Sequence, residues 1–287
     1  MIAKIRVSNL QKQYGNNVVL KGISFDVNEG TIFALLGTNG AGKTTTLECM
    51  EGIRKYNSGE ISINGKIGVQ LQSSSLPEYI KCYEVLNLFA KWNNTVVNMK
   101  LVNSLGLEPI MKKQYKELST GQKRRLHLAL AMTGDPDIIF LDEPTAGLDV
   151  EGRVSLHEEI RKLKAQGKTI IMASHDMAEV ESLCDRLAIL KDGKIAFIGT
   201  SNELVSQMKN IYKIQLKLSS PLMKSGDSIC SYKGEVQGYH MFESNKIDDS
   251  LLELLSLAKN QNITVYDIKV EHASLEECFM DIAKGEE

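Results

Sequence analysis

The segment that most constrains this chain is Gly37-Thr38-Asn39-Gly40-Ala41-Gly42-Lys43-Thr44, which follows directly on the apolar run Thr31–Leu36. A strand that runs into a glycine-rich turn and then a helix presents a row of backbone N–H groups to the phosphates of a nucleotide. Glycines let the backbone curl around those phosphates without a clash at Cβ. The sequence therefore predicts a phosphate-binding loop.

Four polar residues supply the charge and metal chemistry that a bound triphosphate needs. Lys43 is placed to reach the β- and γ-phosphates, and the Thr44 hydroxyl to ligate Mg²⁺. Asp142 ends the apolar run Ile138–Leu141, where a carboxylate at a sheet edge can hold the Mg²⁺ hydration shell. Glu143 follows it and can polarise the water that attacks the γ-phosphate. Taken alone, an aspartate at a strand end is also an ordinary strand terminator.

Two further positions admit a structural role beside a functional one. His175 follows the predicted strand Thr169–Ala173, so it either contacts the γ-phosphate from a third strand end or is a structural histidine. The segment Leu118–Gln122 opens a helix, with Ser119 or Thr120 as its N-cap. The same hydroxyl, backbone N–H groups and helix dipole also form an anion site. The sequence thus indicates a second phosphate-binding helix end in a different part of the chain.

Composition bounds the class of protein. The 287 residues carry a formal net charge of −2, which gives no basic footprint for nucleic acid. The five cysteines are scattered and never spaced C-x-x-C, so we expect no disulfide framework or zinc site, and a reducing cytoplasmic setting fits. No apolar run reaches the roughly 18 residues of a membrane helix. Work at a membrane would therefore need spans from another chain.

The chain divides by pattern into a large α/β part and a small tail. Apolar runs alternate with helix-period segments, which predicts a mostly parallel sheet covered by helices. We expect one domain over 1–208, with a helical subdomain at about 73–135, and a small α+β domain over 209–287. In the helical subdomain Val85, Leu88, Phe89 and Trp92 share one helix face, and Trp92 is predicted to anchor the core.

The ordered motifs together resemble a known family. The phosphate loop, Gln72, Leu118–Gln122, Ile138–Glu143, Gly147-Leu148-Asp149 and His175 are similar, in kind and order, to the nucleotide-binding subunit of ATP-binding cassette (ABC) transporters over roughly Ile2–Asn202. The resemblance implies an α/β P-loop NTPase cassette with a mixed sheet core, a helical subdomain and an antiparallel β-subdomain. It also implies an ATPase in which two cassettes meet head to tail, with each ATP and its Mg²⁺ between them.

The resemblance assigns roles to residues that the spacing alone does not. Ser119, Gly121 and Gln122 would serve the nucleotide of the other subunit, which explains the second phosphate-binding helix end. Asp149 is similar to the residue that crosses between cassettes, although it could also be a helix N-cap. Thr45 joins the phosphate-loop contacts.

Four more positions match the family pattern. Glu143 is similar to the catalytic glutamate and His175 to the switch histidine. Tyr14 resembles the aromatic that stacks on adenine, with an ordinary strand-end tyrosine as the alternative. Gln72 resembles the glutamine that senses Mg²⁺ and couples to the membrane subunit. Gln70 is a second candidate for that glutamine, but the Ile67-Gly68-x-x-x-Gln72 spacing favours Gln72.

The sequence departs from the family pattern in two places. Thr120 stands where a second glycine is usual, which puts the tuning of affinity or dimer closure in question. Gly147 replaces a usual small side chain, a mild change. The tail segment Ala273–Phe279 is similar to a short C-terminal motif of cassettes from drug, antibiotic and bacteriocin exporters, and Ser274 and Glu277 form a capping box there.

These features predict an ATPase subunit that powers a separately encoded membrane permease, most simply an exporter, and that forms a homodimer on binding ATP. The permease would dock around Ser73–Leu88. A single-chain cassette acting on ribosomes or DNA is a rival, but this chain has one cassette and no sustained heptads. A regulatory module that binds ATP without turnover is another rival, which the presence of both Glu143 and His175 disfavours.

Overall fold

The fold is known from a computed structural model that describes residues 3–70, 76–207, 212–222, 229–272 and 275–284. The contacts divide the chain into two compact units, residues 1–199 and residues 200–287. The predicted boundary at 208 lies among residues outside the described ranges. The division falls earlier because helix α7 (Ser201–Gln207) packs against helix α9 (Leu275–Lys284) of the second unit. Within the described residues no helix is long and apolar enough to cross a bilayer.

The first unit is built on a six-stranded sheet with the strand order β5-β6-β7-β3-β8-β9. Its strands are β3 (Ile32–Leu36), β5 (Ile67–Gln70), β6 (Ile138–Asp142), β7 (Thr169–Ala173), β8 (Arg186–Lys191) and β9 (Lys194–Gly199). All neighbours are parallel except the hairpin β8–β9, which is antiparallel. Every residue of β3, β6 and β7 is buried, as expected for parallel strands covered on both faces. The predicted mostly parallel sheet is confirmed.

A second, antiparallel sheet completes the core of this unit. Its three strands are β1 (Ala3–Tyr14), β2 (Asn17–Asn28) and β4 (Ser58–Ile63), in the order β2-β1-β4. Their inward side chains, such as Val7 and Phe25, pack with Phe33 and Leu47 in one apolar cluster. The rings of Phe25 and Phe33 stack with centroids 5.3 Å apart. The helix after β3, α1 (Lys43–Met50), is therefore clamped between the two sheets.

The remaining helices of the unit follow the predicted segments. They are α2 (Cys82–Trp92), α3 (Met99–Ser104), α4 (Thr120–Ala131), α5 (Val150–Ala165) and α6 (Met177–Leu183). Short 3₁₀ turns at Glu108–Ile110 and Tyr115–Glu117 connect α3 to α4. The prediction for α2 is wrong in one respect, which is the face of the helix that is buried.

Trp92 does not anchor a core, since it is 70% exposed. The buried residues of α2 are Cys82, Val85, Leu86 and Ala90, a second stripe of helical period that shares Val85 with the predicted one. Both stripes satisfy the 3.6-residue repeat, and the periodicity could not tell them apart. The predicted face is rotated toward solvent, which leaves Leu88 and Trp92 exposed.

The second unit contains a four-stranded antiparallel sheet with the order β11-β12-β10-β13. Its strands are β10 (Tyr212–Leu218), β11 (Ser231–Val236), β12 (Tyr239–Ser244) and β13 (Val265–His272). Helix α8 (Ile247–Asn260) covers one face, where Leu254 packs on Ile214, Leu216 and Phe242.

Candidate functional site

The phosphate loop lies between the buried strand β3 and helix α1. Two of its glycines are required because neighbouring atoms leave no room for a side chain. Gly42 has a φ of 108° and caps α1 in the left-handed region. A Cβ there would lie 2.7 Å from Leu20 Cδ2, and a Cβ at Gly37 would lie 2.5 Å from the Leu190 carbonyl oxygen. Neither position accepts a side chain without movement of its neighbours. The loop is thus packed against β2 and β8 at these two positions, whereas a Cβ at Gly40 would have nothing within 4 Å.

Lys43 lies along the loop and is 7% exposed. Its Nζ donates hydrogen bonds to the carbonyl oxygens of Gly37, at 2.6 Å, and Thr38, at 3.3 Å. Burial lowers the pKa of the Lys43 amine, and the nearby carboxylates of Glu143 and Asp142 act in the opposite direction. The ammonium is therefore held at the loop by carbonyl groups and by two acidic residues from the end of β6.

Asp142 fits a role beside a metal ion. It is 4% exposed, and burial raises the pKa of its carboxyl, while a hydrogen bond from the Thr44 side chain acts to lower it. Its Oδ1 accepts no hydrogen bond from any described residue. A buried carboxylate oxygen without a partner, beside a threonine hydroxyl, is a suitable donor set for Mg²⁺ or its water ligands. When bound, the ion would neutralise charge on the phosphate oxygens.

Glu143 and His175 meet across the ends of β6 and β7. His175 Nδ1 lies 3.1 Å from Glu143 Oε1. The backbone of Glu143 has a φ of 46°, in the left-handed region, and its N–H donates to the Ala173 carbonyl at 3.0 Å. Such a conformation is rare away from glycine and is often found at functional sites. It turns the Glu143 side chain off the strand direction and toward the imidazole, and Glu143 is only 16% exposed.

Sequence reasoning missed the residues that support His175. Ser174 donates to Glu179 Oε2 at 2.5 Å, and the Asp176 N–H donates to Ser174 Oγ at 3.1 Å. Ser174 and Glu179 are each 2% exposed. Arg153 on α5 reaches Asp176 Oδ2 at 2.9 Å. The segment around His175 is therefore tied to α6 and α5, and the signal in the sequence was an acidic residue four positions after the histidine.

The predicted second anion site is on a different surface. Ser119 caps α4: its Oγ accepts from the Gln122 N–H at 3.3 Å, and Gln122 Oε1 accepts from the Ser119 N–H at 3.1 Å. Asp149 caps α5 by accepting from the Gly152 N–H at 2.8 Å. The two caps share an open cavity of about 520 Å³. We call this cavity and its residues the signature surface; its lining includes Ser119, Thr120, Gly121, Gly147, Leu148 and Asp149.

The two departures from the family pattern are neighbours on the signature surface. Thr120 begins α4 in ordinary helical conformation, and a Cβ at Gly147 would lie 3.5 Å from its Cγ2. The threonine methyl therefore lies beside the one glycine of that turn, at normal contact distance. Thr120 needs no unusual backbone, so the side chain itself does not disturb the start of the helix.

The structure thus brings some predicted residues together and separates others. One group of predicted residues lies at the phosphate loop: residues 37–45, Asp142, Glu143 and His175. Gly121 and Asp149 lie instead on the signature surface. Tyr14 ends β1 and is 39% exposed. The Lys12 Nζ lies 4.7 Å and the Arg54 Cζ 5.3 Å from its ring centroid, so a base stacking on Tyr14 would share the ring with these cations or displace them. Gln72 lies outside the described residues.

Comparison with known proteins decides the family. The family description "ABC transporter" matches residues 20–146. The linearmycin resistance ATP-binding protein LnrL of Bacillus subtilis is 31% identical over 97% of this chain and 97% of its own. This chain belongs to the ABC transporter ATP-binding proteins. It is therefore an ATP-binding cassette of the family that hydrolyses ATP to power transport, which confirms the predicted family, fold class and ATPase activity.

Other ABC relatives differ in the direction of transport that their names state. The Nod factor export ATP-binding protein I of Burkholderia orbicola is 37% identical over 71% of this chain and 73% of its own. The spermidine/putrescine import protein PotA of Mycoplasma mycoides subsp. mycoides SC is 35% identical over 81% of this chain and 72% of its own. ABC cassettes of both directions are thus similar to this one.

Solved ABC structures share the fold of the first unit. A structure titled as the ATP-binding subunit of an ABC transporter is 28% identical, with a TM-score of 0.65 over 71% of this chain and 92% of that chain. A bacterial ABC cassette described as dimeric is 24% identical, with a TM-score of 0.63 over 68% of this chain and 98% of that chain.

Proposed function

We propose that this ABC cassette is the ATPase subunit of an export system, that it works as a head-to-tail homodimer, and that it docks on a separately encoded permease. One observation carries the proposal. The signature surface is lined by residues of α4 and α5, and its described lining includes none of residues 37–45. A single chain therefore carries the two proposed halves of a nucleotide site on separate surfaces, and each half would be completed by the complementary half of a second copy.

In the proposed site each side chain has one task. Lys43 exchanges its contacts with Gly37 and Thr38 for contacts with the phosphate oxygens, with which an ammonium forms strong charge-assisted hydrogen bonds. Thr44 and Asp142 would hold Mg²⁺, with Gln72 as a further ligand from outside the described residues. Tyr14 would stack on the adenine.

Hydrolysis in this proposal depends on Glu143 and His175. The Glu143 carboxylate orients and deprotonates the attacking water, and His175 keeps that carboxylate in place through the 3.1 Å contact while its ring faces the γ-phosphate. Ser174, Glu179 and Asp176 fix the backbone on either side of the histidine. Catalysis is then positioning and charge stabilisation, as in other phosphoryl transfers.

The second half of each site comes from the other copy. Ser119, Gly121 and Gln122 offer a helix N-terminus to the γ-phosphate of the partner's nucleotide, which favours an anion by its N–H groups and dipole. The side chains of Ser119 and Gln122 would reorient to bind phosphate, since in this structure they accept hydrogen bonds from each other's backbone N–H groups. Asp149 would contact the opposite cassette at the two-fold axis. A solved cassette with the same fold is described as dimeric, which supports the association of two copies.

An exposed apolar face on the helical subdomain suits a permease. Leu88 and Trp92, which are one turn apart on α2, are 41% and 70% exposed, and Tyr79 and Tyr83 near the start of this helix are 66% and 38% exposed. An exposed apolar patch of neighbouring side chains often marks an interaction site. The face that carries Leu88 and Trp92, which we call the α2 face, adjoins the predicted docking region Ser73–Leu88, of which the structure describes residues 76–88. The permease would hold the cassette at the cytoplasmic side of a membrane.

Export is supported by the extent of one match. LnrL aligns over 97% of this chain and 97% of its own length, whereas PotA, the importer, aligns over 81% of this chain and 72% of its own. The name of LnrL connects it with linearmycin resistance, and that of the Burkholderia protein with Nod factor export. We therefore propose a drug-, peptide- or lipid-like cargo moved outward.

Mixing two inactive variants tests the composite site. Lys43→Ala removes the lysine half of both sites in a homodimer, and Ser119→Arg blocks the signature half of both. A mixed dimer has one intact site, so mixing should restore up to about a quarter of wild-type hydrolysis for random pairing. If each site belonged to one chain, the mixture would stay as inactive as its components, and the proposal would be wrong.

A further inference from the structure

Two side chains one turn apart on α5 contact charged groups at the start of α6. Arg153 Nη1 lies 2.9 Å from Asp176 Oδ2, and the two side chains are 47% and 29% exposed. His157, four residues later and so on the same face of the helix, places its Nε2 3.4 Å from Glu179 Oε1. Here the side chains are 16% and 2% exposed. The outer contact is therefore open to water, and the inner one is buried.

The inner contact joins two buried polar atoms that have no other partner. Neither His157 Nε2 nor Glu179 Oε1 forms a hydrogen bond with any described residue. Their separation is longer than that of an aligned N–H···O bond, which is about 2.9 Å. A carboxylate oxygen only accepts hydrogen bonds, so the contact is attractive when Nε2 carries a proton. Because a buried polar atom without a partner is costly, each atom holds the other in place.

Glu179 connects this contact to the segment that carries His175. Its second oxygen, Oε2, accepts from Ser174 Oγ at 2.5 Å, and Ser174 Oγ in turn accepts from the Asp176 N–H at 3.1 Å. His175 lies between these two residues, and its side chain is 65% exposed. Packing therefore does little to orient the imidazole, and its position depends on the backbone on either side.

We propose that His157 is a positioning residue for His175, acting through Glu179 and Ser174. The inference rests on the proposed role of His175 in hydrolysis and adds a residue to it from a third element, α5. His157 contacts neither the phosphate loop nor the signature surface in the described contacts. Its loss should therefore slow ATP turnover and leave ATP affinity unchanged.

The alternative is a histidine that only packs α5 against α6. In that case its replacement would lower the free energy of unfolding, while the turnover of the folded molecules would stay the same. The exposed contact between Arg153 and Asp176 joins the same two helices, so α5 and α6 stay connected when His157 is changed.

The test compares three variants of His157 in the full chain by kcat and by equilibrium ATP binding. His157→Phe keeps a ring but removes the N–H, and kcat should fall about tenfold while ATP affinity stays within about twofold of the wild type. His157→Gln has an amide N–H that reaches the place of Nε2, and it should recover about half of the wild-type kcat or more. His157→Asn is too short to reach Glu179 and should behave like His157→Phe.

The contrast between His157→Gln and His157→Asn decides the question even if His157→Phe does not fold. Equal turnover in these two polar variants would overturn the proposal. His240→Phe is the matched control, because His240 is 6% exposed and its Nδ1 lies 3.2 Å from the Tyr232 hydroxyl in the second unit. This variant should lower stability without changing the turnover of the folded protein.

Ser174→Ala interrupts the same series of contacts nearer to His175. Adding His157→Phe to Ser174→Ala should slow turnover no further, because two interruptions of one series do not add. Fully additive losses would mean that His157 acts independently of Ser174, and the proposal would be wrong.

His175→Ala, measured in parallel, separates the two hypotheses. If His175→Ala loses turnover while His157→Phe keeps it, the positioning role of His157 alone is wrong. If His175→Ala keeps wild-type turnover, the proposed role of His175 in hydrolysis fails, and the inference about His157 fails with it.

Discussion

Glu143 Oε1 and His175 Nδ1 lie 3.1 Å apart, so that the end of β6 is joined to the segment after β7 by one side-chain contact. Both residues stand on backbone that is held by buried groups: Glu143 by the Ala173 carbonyl and His175 by its neighbour Ser174. The contact places a carboxylate beside the phosphate loop in a fixed orientation. Its removal should affect turnover far more than binding.

Glu143→Gln should bind ATP with unchanged affinity and hydrolyse it roughly 100-fold more slowly or worse, because the amide cannot take the proton of the attacking water. Single-turnover hydrolysis and equilibrium nucleotide binding on the same preparation separate the two effects. Glu158→Gln on α5 is the matched control. A parallel loss of binding and turnover would show that Glu143 supports the loop rather than the chemistry.

Lys43→Ala should weaken ATP binding by roughly 100-fold, since the contact with phosphate is charge-assisted and Lys43 is the one lysine among residues 37–45. Isothermal titration with ATP measures it. Lys100→Ala, at an exposed lysine of α3, controls for loss of net charge. Unchanged affinity in Lys43→Ala would contradict the assignment of the phosphate loop.

Glu51→Gln should stabilise the protein at pH 8 but not at pH 5. Burial first, then Asp142 and Glu48, raise the pKa of Glu51 from 4.5 to about 7. The folded state thus holds a proton that the unfolded state has lost, and stability falls as the pH rises through this window. The gain at pH 8 is at most about 3 kcal/mol.

The measurement for Glu51→Gln is urea unfolding at both pH values without nucleotide. Glu60→Gln, on the exposed side of β4, should change neither curve. A stabilisation of the same size at pH 5 and pH 8 would mean that packing, and not the charge of Glu51, is responsible.

Trp92→Ala should change the free energy of unfolding by less than about 0.5 kcal/mol, whereas Leu86→Ala on the same helix should cost about 2–5 kcal/mol. The reason is burial: Leu86 is 3% exposed and Trp92 is 70% exposed. Thermal or urea unfolding of both variants decides between the two faces of α2. A larger loss in the free energy of unfolding for Trp92→Ala than for Leu86→Ala would show that the face with Trp92 is the buried one.

Trp92→Asp should leave the ATPase activity of the isolated chain unchanged and abolish its recovery with an integral membrane protein from detergent-solubilised membranes. A charge in the α2 face opposes its burial against a permease. Lys91→Asp, a neighbouring exposed position, serves as the control. Recovery at wild-type levels would place the docking surface elsewhere.

Local patterns were sufficient for much of the site. The glycine-rich loop and the strand ends at Asp142 and His175 could be located because phosphate binding demands particular residues at fixed places. The buried strands β3, β6 and β7 followed from continuous apolar runs. The tie between Ser174 and Glu179 could not be foreseen, because it depends on which side of α6 faces the sheet.

The sequence could not show which of two equally periodic stripes of a helix is buried, or what covers the exposed face of a strand. On α2, two stripes have the same period, and only the packing of neighbouring helices decides which one is buried. The exposed edge at β13 was also not visible, because alternation of apolar residues predicts a half-buried strand and not what covers it. Both cases depend on tertiary neighbours that local periodicity does not contain.

The left-handed backbone at Glu143 restricts which substitutions the position can tolerate during evolution. Valine, isoleucine or threonine would clash with their own main chain there, so these changes would damage folding as well as activity. Asparagine accepts this conformation readily and would remove the carboxylate with little disturbance of the backbone. Inactive descendants of this cassette that keep a folded site are therefore expected to carry asparagine, glutamine or glycine at this position.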